Sequence, residues 1–239
     1  MTAFSFSDLR IKSMQIKSER PLIVILSGAG LSAESGIPTY RNADNNWNRT
    51  DSMDSVDMKH RPQLVFDSIN RRIEAYDQAK PNAAHLALAK LEQEGKLKAI
   101  VTQNIDGLHQ KAGSRCVYEL HGSIWRNRCQ RCGKQYPPEF IRDYKGVPHC
   151  DCGGLIKPEV VLYEEGLDEA RIDGAIRAIS RADILIVGGT SLTVYPAAGL
   201  IRYYGGSRLV LINRDETQYD SYADLIFRDP IGTVLSQVV

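Results

Sequence analysis

An α/β doubly wound fold, built on one Rossmann-like parallel sheet with two inserts, is what this sequence predicts. Four short apolar runs carry the prediction: LIVIL (22–26), KAIVTQ (98–103), ADILIVGG (182–189) and RLVLIN (208–213). They are rich in branched residues and lack a period of two, which suits parallel strands buried on both faces. Helix-patterned stretches alternate with them, and two stretches, 43–60 and 126–156, follow neither pattern. A chain of 239 residues is long for one domain and short for two, so one main domain with inserts is expected.

In chain order, MTAFSFSDLRIKSMQIKSERP has polar or charged residues every few positions and no continuous apolar segment, so it does not read as a secretory signal. The first strand opens into GAGLSAESGIPTYR, where Gly28, Gly30 and Ala33 fit G-x-G-x-x-G/A. In that pattern the first glycine makes a tight turn and the second lets a pyrophosphate approach the backbone. Two features depart from it. No acidic residue is recognisable at the end of a second strand about 20 positions on, and Pro38 stops any helix soon after Ser35 and Gly36. The loop is either a nucleotide cradle of an unusual kind or merely a tight turn.

Residues 43–60, ADNNWNRTDSMDSVDMKH, are polar and read as a loop or lid before a helix from Pro62 to Ala79. PNAAHLALAKLEQEGK (81–96) puts Ala84, Leu88 and Leu91 on one helix face, and EARIDGAIRAISRA (169–182) does the same with Ile172, Ile176 and Ile179. TQNIDGLHQKAG (102–113) ends the second strand, and ELHGSIW (119–125) follows a short VYEL strand. Open α/β sheets bind ligands at the carboxyl ends of their strands, so Asn104, Asp106 and His121 are candidates to converge there. His60, His85 and His109 read as structural or surface residues.

From Arg126 to Ile156 the chain turns to Cys, Gly, Pro and charge, with little apolar core of its own. Cys129-x-x-Cys132 and Cys150-x-Cys152 have the spacing to wrap one tetrahedral zinc, with turns at Gly133 or at Gly153 and Gly154. His149 competes with Cys150 for a ligand position. Four protein ligands leave no open coordination site, so the metal would be structural. The chain's 5 cysteines are an odd number, clustered as metal ligands rather than as a disulfide framework, which favours a reducing, cytoplasmic compartment. Cys116 stands apart as a core thiol. With 30 basic and 29 acidic residues, a net charge of +1 gives no global field toward nucleic acid or an anionic membrane. No apolar run approaches the roughly 18 residues of a membrane span.

GAGLSAESGIPTYR, TQNIDGLHQKAG, LHG followed by the four-cysteine module, and GGTSLTVYPAAGL followed by LINRD together resemble the sirtuins, the NAD-dependent protein lysine deacylases. The match runs in order from about Pro21 to Val239, and VVLYEEGLDE is most similar to the short bacterial members. The resemblance implies a Rossmann-like NAD-binding domain made of 1–41, 80–125 and 157–239. A cofactor loop and helical insert would occupy 42–79, and a zinc-binding module 126–156. Gly28, Ala29, Ala33, Tyr40 and Arg41 would contact the dinucleotide. Gln103, Asn104, Ile105 and Asp106 would line the nicotinamide pocket, with Asp106 accepting the carboxamide. His121 would be the general base, with Asn104 beside it in the catalytic pair. Gly189, Thr190, Ser191, Asn213, Asp215 and Ile231 would hold the adenosine half. Val161, Tyr163 and Val194 would wall the acyl-lysine tunnel, the substrate peptide adding as a strand between 159–165 and 193–197.

The activity implied is deacetylation of acetyl-lysine in peptides or proteins, with NAD as co-substrate and one structural zinc, by a monomer with no membrane or specific nucleic-acid partner. Removal of succinyl or longer acyl groups and protein mono-ADP-ribosylation are the alternatives within NAD chemistry. A zinc-ribbon module using Arg126, Arg128 and Arg131 is the alternative outside it, and it would consume no NAD. Departures from the family pattern are Tyr40 for phenylalanine, Lys157 and Glu159 where Arg and His are common, and Glu164 where glycine is usual. In members that prefer succinyl or malonyl groups a Tyr-x-x-Arg pair grips the acyl carboxylate. Here the aligned residues are Ser68 and Arg71, half a clamp, so acetyl is expected over succinyl; Arg71 and Arg72 read equally well as a solvated helix face.

Overall fold

The structure, a computed structural model, describes residues 21–39 and 53–238. Its strands are β1 (Ile23–Ser27), β2 (Leu97–Thr102), β3 (Val117–Glu119), β4 (Gly122–Cys129), β5 (Gln135–Tyr136), β6 (Ile156–Val160), β7 (Ile184–Gly188), β8 (Arg208–Ile212) and β9 (Leu225–Phe227). Its α-helices are α1 (Ser55–His60), α2 (Pro62–Gln78), α3 (Ala83–Gln93), α4 (Leu108–Lys111), α5 (Pro138–Arg142), α6 (Glu169–Ser180) and α7 (Ile231–Ser236). Six strands form one sheet in the order β3-β2-β1-β7-β8-β9, and every pairing in it is parallel. The order reverses at β1, so the switch point of a doubly wound sheet lies between β1 and β7.

The apolar runs behave as their composition requires. Ile23 and Ile25 pack with Leu88 and Leu91 of α3 and with Val234 and Leu235 of α7 on one face. Val24 and Leu26 pack with Ala175 and Ile179 of α6 and with Leu200 and Ile201 on the other. Each such fully buried aliphatic side chain stabilises the fold by about 1.5–3 kcal/mol. Ile172 and Ile176 complete the face predicted for α6, half-buried at its edge.

At the start of α3 the Asn82 side chain accepts from the backbone N–H of Ala84 (3.0 Å) and His85 (3.3 Å), and His85 Nδ1 accepts from Asn82 N. A histidine thus completes the capping box. Its ring lies 4.9 Å from that of His109, and both are buried. Burial lowers His85 to about 4, and burial followed by the nearby His85 lowers His109 to about 3. In the unfolded chain both titrate near 6.5. The unfolded state therefore binds protons that the folded state refuses. This contribution to stability is complete above pH 6.5 and is lost as pH falls from there toward 4. Urea unfolding should show a loss on the order of 3 kcal/mol from His85 across that window. His85→Gln should flatten the slope; an equal slope in the variant would mean that the ring is not buried neutral.

Two expectations are corrected. The stretch 43–60 is not loop throughout: α1 begins at Ser55, capped by Asp54, whose carboxylate accepts from Val56 N at 2.7 Å. Nor is the cysteine-rich stretch coreless. It forms an antiparallel sheet, β5-β4-β6, that starts at Gly122 and ends at Val160. Cys129, Ile141, Cys150 and Ile156 share one core with Val65, Phe66, Ile69 and Ile73 of α2. The helical insert and the cysteine module are one packed body, assembled from distant parts of the chain.

Candidate functional site

A cavity of about 630 Å³ opens at the carboxyl ends of β1, β2, β7 and β8. Its floor is set by backbone contact. Gly30 N donates to Gly189 O at 2.8 Å, and a Cβ on Gly30 would sit 2.9 Å from the Gly189 Cα. The second glycine of the loop is therefore demanded by the end of β7 as well as by any ligand above it. The loop continues as a 3₁₀ helix, Ala29–Ser35, stopped by Gly36 in the left-handed region (φ 82°) ahead of Pro38.

Of the residues expected at the dinucleotide, Gly28, Ala29 and Ala33 line the cavity from this loop, and Gln103, Asn104 and Ile105 line it from the end of β2. Gly189, Thr190, Ser191, Asn213, Asp215 and Ile231 line its other end, where Gln103 Nε2 donates to Thr190 Oγ1 at 3.1 Å. Val161, Tyr163 and Val194 line its wall, joined by Met53 and Leu162. Tyr40 and Arg41 lie outside the described residues. Asp106 is buried but does not line the cavity. Its carboxylate faces inward, accepting from Ser32 Oγ (2.7 Å) and Leu108 N (2.9 Å). Burial raises its pKa against those two bonds.

Ser32 was not foreseen, and it is the hinge of this network: its hydroxyl also accepts from Asn104 Nδ2 at 3.0 Å, so the loop and the end of β2 are locked together. Its only trace in the sequence is its position inside the small-residue loop. Arg214 and Arg228 were also missed; both line the cavity beside Asn213 and Asp215, and Arg228 donates to the carbonyls of Asn213 and Asp215 at 3.0 and 3.1 Å. Arg228 stands in no local pattern that marks it, whereas Arg214 lies inside LINRD, between the two residues that were named. Ser68 and Arg71 do not line the cavity; Arg71 Nη2 donates to the buried Ser68 hydroxyl at 3.1 Å.

His121 sits between the two sheets, in the turn that joins β3 to β4. Gly122 follows it at φ 78°, and any Cβ there would collide with the Glu159 carbonyl. His121 Nδ1 lies 2.9 Å from the Gln103 carbonyl, which can only accept, so Nδ1 carries the proton and Nε2 is left as the basic nitrogen. Burial lowers its pKa below 6.5, opposed by that hydrogen bond. The imidazole is thereby held neutral, oriented, and beside Asn104 in one cavity.

The four cysteines of the module bring their sulfurs within 4.8 Å of one another. Cys129 and Cys152 are 3.5 Å apart and Cys132 and Cys150 3.6 Å. A tetrahedron with Zn–S of about 2.3 Å has edges of about 3.8 Å, so the donor set fits zinc. Hydrogen bonds from the Cys152 N–H and the Tyr136 hydroxyl lower Cys150 to about 6, favouring the thiolate a metal needs. His149 is not in the cluster: its Nδ1 is 3.0 Å from the Val147 carbonyl. Gly133 and Gly153, both at positive φ, make the two turns.

Residues 28–196 match the sequence profile of the Sir2 family. The chain belongs to the Sir2 family. A Sir2 relative, the NAD-dependent protein deacetylase of Clostridium acetobutylicum, is 52% identical over 235 residues, covering 94% of this chain and 96% of that protein. The crystal structure of a Sir2 homolog–NAD complex superposes with a TM-score of 0.84 at 40% identity, covering 92% of this chain and 88% of that one. Sir2Tm bound to a propionylated peptide superposes with a TM-score of 0.83 at 38% identity, covering 96% and 94%. Family membership accounts for the parallel sheet, beside which the four-cysteine cluster stands. Among the described residues, no helix is long and apolar enough to cross a membrane.

Proposed function

We propose that this chain is an NAD-dependent protein lysine deacetylase whose general base is His121 and whose acyl-lysine tunnel is walled by Val161, Tyr163 and Val194. The observation that carries the reading is His121 itself: a half-buried imidazole with Nδ1 committed to Gln103, lining the same cavity as the small-residue loop and Asn104. NAD, when bound, supplies the ribosyl carbon that the acetyl oxygen attacks as nicotinamide leaves. Gly28, Ala29 and Ala33, with Tyr40 and Arg41, bind the dinucleotide from the loop side. Gly189, Thr190, Ser191, Asn213, Asp215 and Ile231 hold its adenosine end.

Gln103, Asn104 and Ile105 position the nicotinamide end so that the weak amide nucleophile is held in line, which is a positioning task. Asp106 does not line the cavity, so in this reading it reaches the carboxamide by turning its carboxylate from Ser32 toward the end that Gln103, Asn104 and Ile105 line. The apolar wall of Met53, Val161 and Leu162 excludes water from the reacting carbon. His121 Nε2 would then take the proton of the ribose hydroxyls so that the 2'-oxygen bonds to the acyl carbon; one water, admitted after nicotinamide has left, releases the amine, and the products are lysine, nicotinamide and 2'-O-acetyl-ADP-ribose.

Residues 1–41, 80–125 and 157–239 form the NAD-binding domain in this reading, 42–79 the loop and helical insert, and 126–156 the module that Cys129, Cys132, Cys150 and Cys152 close around one zinc. The protein acts in the cytoplasm, as a monomer, without a specific nucleic-acid partner. The engagement of Arg126 and Arg128 by Glu119 and Glu159, and of Arg131 by the Cys152 carbonyl, supports the last point.

Nicotinamide release from NAD, measured with acetyl-lysine and succinyl-lysine versions of one peptide, tests the reading. Release should require peptide, and acetyl should exceed succinyl by at least about tenfold. The described residues lining the acyl wall include no cation to hold a second carboxylate. Equal rates would overturn the acetyl preference, and intact NAD with every peptide would overturn the deacetylase itself.

A further inference from the structure

Near the Tyr163 wall of the cavity, Glu164 is a carboxylate that no cation among the described residues engages. Asp54 caps α1, accepting from Val56 and Asp57. Glu165 accepts from Lys157 through both oxygens at 2.7 Å and from Leu162 N at 2.9 Å. Asp168 caps α6, accepting from Arg171 N. Asp57 is bound by Arg61. Glu164, which lines the cavity between Tyr163 and Glu165, has only the Ser55 hydroxyl at 3.5 Å, and no cation among the described residues lies against it. Its backbone is at φ 71°, where glycine is favoured. The residue thus occupies a glycine-favouring backbone position while its exposed side chain makes no ion pair among the described residues.

We propose that Glu164 is a specificity-determining residue that selects substrates with a lysine or arginine within two positions of the acyl-lysine. The proposal rests on the deacetylase reading. A peptide entering between 159–165 and 193–197 sends its acyl-lysine down past Val161, Tyr163 and Val194. Successive side chains of an extended peptide alternate in direction, so a neighbour of the acyl-lysine lies over the rim where Glu164 stands. Among the described residues, the 193–197 side of the cavity is lined by Val194, Tyr195 and Pro196, none of them anionic. The exposed Tyr195 ring on that wall already carries the Arg202 guanidinium at 5.7 Å from its centroid, so the selection rests on Glu164 and not on the ring. A long basic side chain meets at Glu164 a carboxylate with no protein cation against it, and an acidic one meets repulsion from it.

The test uses three acetyl-lysine peptides identical except for arginine, alanine or glutamate beside the acetyl-lysine, with kcat/KM measured at low and high salt. The native enzyme should prefer arginine over glutamate by about three- to tenfold at low salt, the size of a partly screened ion pair, with the difference in KM. High salt should shrink the ratio. Glu164→Gln should bring it toward one and Glu164→Lys should invert it. Glu164→Gly, which suits the backbone, should melt no lower than the native protein and should also lose the preference, so misfolding cannot produce the result. Turnover of all three peptides at equal kcat/KM, or a preference that survives Glu164→Lys, overturns the inference while leaving the deacetylase intact. Failure to turn over any peptide overturns the deacetylase reading and this inference with it.

Discussion

His121→Ala should lower the rate of deacetylated-peptide formation by about 10²–10⁴-fold, the usual worth of a positioned general base. Peptide and NAD binding should change far less, because the residue touches the reaction and not the walls. Nicotinamide departure precedes the step that needs the base, so release of nicotinamide should suffer less than release of deacetylated product. That divergence is the signature to measure, by following both products in one assay. Equal losses in both would assign His121 to binding or folding instead.

The pH profile gives an independent check with a definite sign. A base must be neutral to act, and burial, the dominant influence, lowers the His121 pKa from 6.5. The acid limb of kcat/KM should therefore fall below pH 6.5, and activity should persist at a pH where a free imidazole is half protonated. An acid limb above 6.5 would mean that the Gln103 carbonyl outweighs burial.

Stripping the metal should be still more damaging. Structural zinc binding in small peptides is worth on the order of 10–16 kcal/mol at neutral pH, as large as the entire stability margin of about 5–15 kcal/mol of a typical domain. Cys129 and Cys150 belong to the same core as Phe66 and Ile69. Their loss should therefore not stay local: α2 and the Tyr163 segment paired to Met53 and Ser55 should loosen together. The native protein should carry one zinc per chain. Chelation or Cys129→Ser should remove it, lower the melting temperature steeply and abolish deacetylation. Metal-free protein with full activity and unchanged melting would show that the four sulfurs are not a structural site.

What was legible from the sequence was what local pattern encodes. The branched runs became β1, β2, β7 and β8 because burial on both faces leaves no room for alternation, and the paired cysteines were visible because chelation fixes their spacing. α1 was missed because SVDMKH has no amphipathic period; it depends on the Asp54 cap and on Tyr163 pairing with Met53 and Ser55. β9 is three residues long at the sheet edge, too short for a pattern to mark. The shared core of α2 and the cysteine module is a fact about residues far apart in sequence. At the site, loop and strand ends were marked by their residue types, but the inward turn of Asp106 toward Ser32 depends on a contact that no local rule contains.

One consequence follows from where His121 stands in the chain. β3, the last strand of the parallel sheet on that side, ends at Glu119, and β4, the first of the antiparallel sheet, begins at Gly122. The base thus occupies the fulcrum between the two bodies rather than the tip of either lever. If the smaller body swings outward, Tyr163, paired to Met53 and Ser55, travels with it, while Val161, whose N–H donates to the His121 carbonyl at 2.9 Å, stays near the fulcrum. His121, tied to the Gln103 carbonyl on the larger body, travels least. Such an arrangement lets the cleft open for a bulky product while the proton acceptor keeps its aim.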